Sequence, residues 1–174
     1  SWRPANVGTE ACFLPEDRFP EVGQCVHKVL AHPWRPGRLW QQNHCGVYRS
    51  DDHGASWERL EGNGLPSGFG FGLALDPSDP DRAFVIPEEG AENRVTCDGR
   101  LGIYTTADAG ASWELIVAAE PAWVAVLREG MSQDDEAVYV GAQSGHVYAL
   151  RHDEVVVAAE NLPPILSVEA AELQ

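Results

Sequence analysis

The 174-residue chain sets 12 Lys and Arg against 27 Asp and Glu, a formal net charge of −15. That acidity repels phosphate backbones and excludes nucleic acid as a general partner. A hydrophobic content of 44% is ample for a core, while no apolar run approaches the roughly 18 residues of a spanning helix, so no membrane partner is expected.

An irregular stretch, residues 1–24, precedes a series of β-branched and aromatic runs bounded by Pro, Gly and Asp turns. Strands are predicted at 25–32, 38–44, 46–51 and 57–60, then at 69–76, 82–87, 101–107 and 113–118. A third set follows at 122–128, 136–141, 145–150 and 154–159, with one more strand at 165–172. Helix is expected to be nearly absent.

The runs repeat. Pro33 and Pro77 are 44 residues apart, and so are Trp40 and Phe84, and Tyr104 and Tyr148. Tyr48 and Tyr104 are 56 apart, so an excess of 12 residues lies within 87–100. A period near 44 with about four short strands suits a propeller blade. The fold class read from this is all-β: three four-stranded antiparallel blades at 25–61, 69–118 and 122–161. Segment 1–24 joins blades, and 165–172 is a ring-closing strand. Closed rings need roughly four to eight blades. The chain is therefore expected to be the C-terminal portion of one propeller domain, completed by further blades or by a second copy.

Two units share a further pattern. Ser50-Asp51-Asp52-His53-Gly54-Ala55-Ser56-Trp57 and Thr106-Ala107-Asp108-Ala109-Gly110-Ala111-Ser112-Trp113 both read Ser/Thr-x-Asp-x-Gly-x-x-Trp. Gly supplies positive φ, Asp and the hydroxyl bond free turn amides, and Trp enters the next strand to be buried. With the Gln41–Asp52 run, these residues resemble the BNR or Asp-box β-propellers, which include sialidases and bacterial sialidase-like and glycosyl-hydrolase-like proteins. The resemblance covers roughly residues 21–174. It implies that Ser50, Asp52, Gly54, Trp57, Thr106, Asp108, Gly110 and Trp113 are structural and lie away from the ligand face. The third unit lacks the pattern: Tyr148 is followed by Ala149-Leu150-Arg151-His152-Asp153.

Of four cysteines, Cys12 and Cys97 fall in loop-like stretches. If the first hairpin turns about Arg35, partners sum to about 70, so Cys25 faces Cys45 and His27 faces Asn43; a one-residue slip sets His27 against His44. Cys25, His27, His44 and Cys45 thus gather at one end of a blade. Zinc uses such ligands, but the spacing matches no zinc motif. A buried polar and thiol cluster is the working expectation, with no metal and no cofactor. A Cys25–Cys45 disulfide is a third reading.

In an up-down-up-down sheet, alternate loops reach opposite faces. The boxes and Pro-rich turns take one. The other receives 43–45, 62–68, the inserted 87–100, 141–145 and the segment before Cys25. Loops on a rigid scaffold carry function, so the ligand-face candidates are Asn43, His44, Glu88, Glu89, Arg94 and Arg100. Glu21, Gln24, Asn93 and Asp98 share that face. A non-catalytic propeller binding a glycan, peptide or protein there is the first reading. A sialidase-like exo-glycosidase is the alternative; the resemblance implies three arginines and a Tyr–Glu pair for that activity. Only Arg94 and Arg100 are well placed, and the tyrosines align as core positions. No leader is visible, which leaves the compartment open with the cytoplasm as default.

Overall fold

The computed structural model of the chain describes residues 2–119, 125–151 and 154–171. Three four-stranded antiparallel sheets follow one another. The first comprises β1 (Val26–His32), β2 (Arg35–Asn43), β3 (Gly46–Ser50) and β4 (Glu58–Arg59). The second comprises β5 (Gly70–Leu75), β6 (Ala83–Pro87), β7 (Leu101–Thr106) and β8 (Glu114–Ala119); the third comprises β9 (Met131–Gln133), β10 (Val138–Gly141), β11 (Val147–Arg151) and β12 (Glu154–Ala159). In each, strands pair in sequence order as a meander. Among the described residues the one helical element is a 3-10 turn at Cys97–Gly99. The protein is a partial β-propeller.

The period-two alternation of strands explains how the blades stack. The middle blade is covered on both faces, and β5 and β6 are buried along their whole length. Leu73, Leu75, Ala83 and Val85 pack with Trp40, Val47 and Leu60 of the first blade. The intervening Ala74, Phe84 and Ile86 pack with Met131, Val138 and Val140 of the third. One strand pair thus feeds two interfaces, as face-to-face sheet packing requires. The outer blades lack a second neighbour; Val156 and Val157 on β12 remain more than half exposed. Across the inner strands, Lys28 Nζ donates to the Met131 carbonyl at 2.7 Å, joining β1 to β9.

Both Asp-containing turns have the same geometry. Gly54 N–H donates to Ser50 Oγ and Gly110 N–H to Thr106 Oγ1, each at 2.8 Å. Ser56 N–H donates to Asp52 Oδ1 at 2.8 Å and Ser112 N–H to Asp108 Oδ1 at 2.9 Å. These bonds hold both carboxyls down to about 2, well below their ordinary value. His53 and Ala109, as well as Gly54 and Gly110, take positive φ. His53 N–H donates to the Gly37 carbonyl and Ala109 N–H to the Asp81 carbonyl, so each turn lies beside a Pro-rich turn on one face. Arg38, nearly buried, bridges Asp51 and Asp81 there and ties the first two blades together.

Four expectations are corrected. The strand placed at 122–128 is not formed by its described residues; 122–124 lie outside them. A tight turn in which Gly130 N–H donates to the Leu127 carbonyl interrupts the run, and Met131–Gln133 pairs with β10 instead. Residues 165–171 form no regular strand. They make one parallel bridge, Ser167 to Glu129, beside β9, with no strand on their other side to complete a ladder. Trp113 is buried, as expected, but Trp57 is only partly so. Trp113 has the first blade behind it, whereas Trp57 has only the 5–7 segment, donating its indole N–H to the Ala5 carbonyl at 2.9 Å. Finally, Cys45 pairs with neither Cys25 nor a metal cluster. It forms a disulfide with Cys12, 33 residues away, with Cα atoms 5.7 Å apart.

Candidate functional site

The face opposite the Asp turns is organised around Phe71. Phe69 precedes β5 and Gly70-Phe71-Gly72 opens it; Gly70 lies against the Ile86 carbonyl, and Gly72 against Met131 and Ile86, where a Cβ would crowd them. His27 stacks on Phe71 with centroids 4.5 Å apart and an interplanar angle of 25°. With that face occupied, two guanidiniums share the rest of the ring. Arg94, from the inserted loop, and Arg128, from the turn before β9, each stand with Cζ 5.6 Å from its centroid. Cation–π attraction explains why both settle there. Both are exposed, and among the described residues neither has a carboxylate within ion-pair distance. A small cationic, aromatic patch therefore interrupts a chain of net charge −15.

His44, at the β2–β3 turn, joins the patch edge-on. Its ring lies 5.7 Å from His27, 5.2 Å from Phe69 and 5.1 Å from Phe13. The inserted loop of the second blade and the tight turn of the first thus meet on one surface. His27 is buried, and its Nδ1 lies 2.7 Å from the Gly70 carbonyl. Burial lowers its pKa, opposed by that carbonyl bond and reinforced by Arg128, His44 and Arg94.

The position of His27 follows from a departure in the first hairpin. Leu30 pairs with Trp40 and Lys28 with Gln42, matching a sum of 70, but Val26 pairs with Asn43. His27 sits in the resulting bulge, and bulges commonly re-aim a side chain. Consequently Cys25 lies opposite His44, whose N–H donates to the Cys25 carbonyl at 2.9 Å. The donor atoms of Cys25, His27 and His44 all lie within 4.8 Å of one another. Cys45, which follows His44 in the β2–β3 turn, bonds Cys12 instead.

The remaining candidates separate. Asn43 is fully buried and structural: its Nδ2 donates to Gln41 Oε1 at 3.1 Å, and its Oδ1 accepts the Cys45 N–H at 3.0 Å. Glu89 holds Asn93 within the inserted loop. Arg100 lines a different pocket of about 270 Å3, with Pro87, Cys97, Asp98, Tyr104 and Leu115. Burial, Asp98 and Glu89 push the Cys97 thiol up there, which makes it a poor nucleophile. Gln24 Nε2 donates to the Pro20 carbonyl and the Glu21 carbonyl accepts from Asn6, so both brace segment 1–24. Glu88 is buried beneath the loop and pushed up to about 7 by desolvation, against the pull of Arg94 and of the Val126 N–H. Among the described residues its Oε2 has no hydrogen-bond partner.

Sequence reasoning missed Phe69, Phe71 and Arg128. The aromatic-glycine alternation at 69–72 was a usable signal. Arg128 falls in a run whose apolar residues predict a continuous strand, which conceals the turn that presents it.

No family model matches the chain. Among curated proteins, vacuolar protein sorting/targeting protein 10 of Verticillium alfalfae is 37% identical over 68 residues, covering 39% of this chain and 4% of that protein. The GH74 xyloglucanase from Xanthomonas campestris superposes with a TM-score of 0.61 at 19% identity, covering 90% of this chain and 22% of that one. The GH74 enzyme of Niastella koreensis gives 0.50 at 15% identity, covering 78% and 23%. An ancestral GH74 enzyme gives 0.50 at 16%, covering 71% and 17%. These likenesses show the fold, a β-propeller. The chain spans less than a quarter of each of these proteins.

Proposed function

We propose that the chain is part of a non-catalytic propeller of the BNR/Asp-box kind, binding a carboxylate-bearing glycan, peptide or protein on the Phe71 face. The observation that carries this is the pairing of Arg94 and Arg128 on one ring, where among the described residues neither is held in an ion pair and the one carboxyl that Arg94 acts on, Glu88, is buried beneath the loop. Like charges gathered this way repel each other, and a ligand carboxylate would relieve the repulsion through charge-assisted bonds. The Asp turns serve the scaffold: the Asp52 and Asp108 carboxylates bond within their own turns, and Asp51 is held by Arg38 and Arg49. The Cys12–Cys45 disulfide favours an oxidising compartment over the cytoplasm expected above.

Titration calorimetry with sialylated and uronate-containing oligosaccharides, acidic peptides and neutral controls tests the reading. Binding restricted to the carboxylate-bearing ligands, and weakened at least tenfold by Arg94→Ala and by Arg128→Ala, is expected. Equal binding of neutral ligands, or full retention in both variants, would overturn it.

One observation favours the glycosidase alternative: Glu88 is held near 7, as a general acid would be. It is only 1% exposed, and its neighbour Glu89 is engaged by Asn93. Hydrolysis of an activated aryl glycoside that is abolished by Glu88→Gln would promote the enzyme reading.

A further inference from the structure

We infer that Cys25, His27 and His44 form a site for a transition-metal ion, with Zn2+ as the fitting physiological ion. Cys25 directly precedes β1, and His27 sits in the bulge one residue into it. The His44 N–H to Cys25 carbonyl bond clamps the facing residue opposite them. The bulge at His27 turns its ring toward that pair. With all three donor atoms within 4.8 Å of one another, small rotamer adjustments bring them to the 2.0–2.3 Å bonds that zinc makes with nitrogen and sulfur.

A second observation points the same way. His27 is already oriented as metal-bound histidines are: Nδ1–H donates to the Gly70 carbonyl at 2.7 Å, which leaves Nε2 as the ligand atom. The surroundings suit a soft, compact ion. Phe13, Phe69 and Phe71 pack against the two imidazoles, so the shell is apolar, and the donors are a thiolate and two imidazoles rather than carboxylates. Three protein ligands leave a fourth position for water or a ligand atom. Arg94 and Arg128 stand over Phe71 and oppose a divalent charge, which a thiolate ligand offsets in part.

Cobalt substitution reads this directly and does not depend on the ligand proposed above. The whole chain, with its Cys12–Cys45 disulfide intact, is titrated with Co2+ alone. One cobalt per chain is expected, with a thiolate-to-cobalt charge-transfer band and intense visible bands of four-coordinate geometry, all displaced by one equivalent of Zn2+. Cys25→Ser is expected to abolish the charge-transfer band, and His44→Asn to weaken cobalt binding at least tenfold. Cys97→Ser should leave both unchanged. Cys25 and His44 are only partly buried, and circular dichroism of each variant verifies its fold. Absence of any one-to-one cobalt complex in the folded protein, persistence of the band in Cys25→Ser, or its loss in Cys97→Ser would overturn the inference.

Discussion

The Trp113 indole N–H donates to the Leu60 carbonyl at 2.8 Å, so the Asp turn of the second blade is fastened to the last residue before the first blade's exit loop. Trp113 also meets Trp40 edge-on, with ring centroids 6.5 Å apart. The same tryptophan position one blade earlier, Trp57, has no such neighbour blade. Trp113→Ala is therefore expected to cost about 3–5 kcal/mol, as for a buried aromatic. Trp57→Ala should cost about half of that or less, because the side chain is already partly solvated. Urea unfolding midpoints of the two variants provide the measurement. Equal losses would mean that the turn itself, and not the blade behind it, sets the value.

Ala109 holds a φ of 61°, the left-handed region that a Cβ disfavours. Its N–H and carbonyl both bond neighbours, to Asp81 and Arg49, so the conformation is imposed by the turn. Ala109→Gly should raise stability by about 0.5–1 kcal/mol, because the strain removed exceeds the entropy added to the unfolded chain. A rise in the thermal midpoint is the expected result.

Acid should loosen both Asp turns. The folded carboxyls of Asp52 and Asp108 are held down to about 2 from 3.8, chiefly by the Ser56 and Ser112 hydroxyls and amides. A depressed pKa contributes stability above the unfolded value, and that contribution is lost as pH falls from near 4 toward 2. Asp108→Asn should move the acid-unfolding midpoint to higher pH by destabilising the neutral-pH state. The variant's own stability should vary less between pH 4 and 2 than the parent's.

Glu88 has the opposite sign. Its folded carboxyl is pushed up to about 7 from 4.5. Between those values the folded chain keeps a proton that the unfolded chain releases, so stability falls as pH rises through the window and levels off above it. Glu88→Gln should flatten that slope and raise stability at pH 8. Unfolding curves at pH 5, 6, 7 and 8 distinguish the two behaviours.

The sequence by itself determined the parts whose causes are local. Gly54 and Gly110, with hydroxyl and carboxylate at fixed offsets, specify the Asp turns without help from other blades. Alternation of apolar residues specified the strands, and the 44-residue spacing specified their grouping into blades. The convergence of His44 with Arg94 was legible too, because meander connectivity alone sends their loops to one face. Tertiary structure decided what depends on one extra residue or on a distant neighbour. The bulge at His27 shifted the first hairpin by one position, set Cys25 opposite His44 and released Cys45 to Cys12. Simple pair-sum arithmetic has no term for a bulge. Arg128 reached Phe71 because the chain turns at 127–130, and Trp57 stayed only partly buried because burial belongs to the blade behind, not to the residue. The patch around Phe71 is therefore a product of packing: its aromatic and cationic members come from three blades and are distant in sequence.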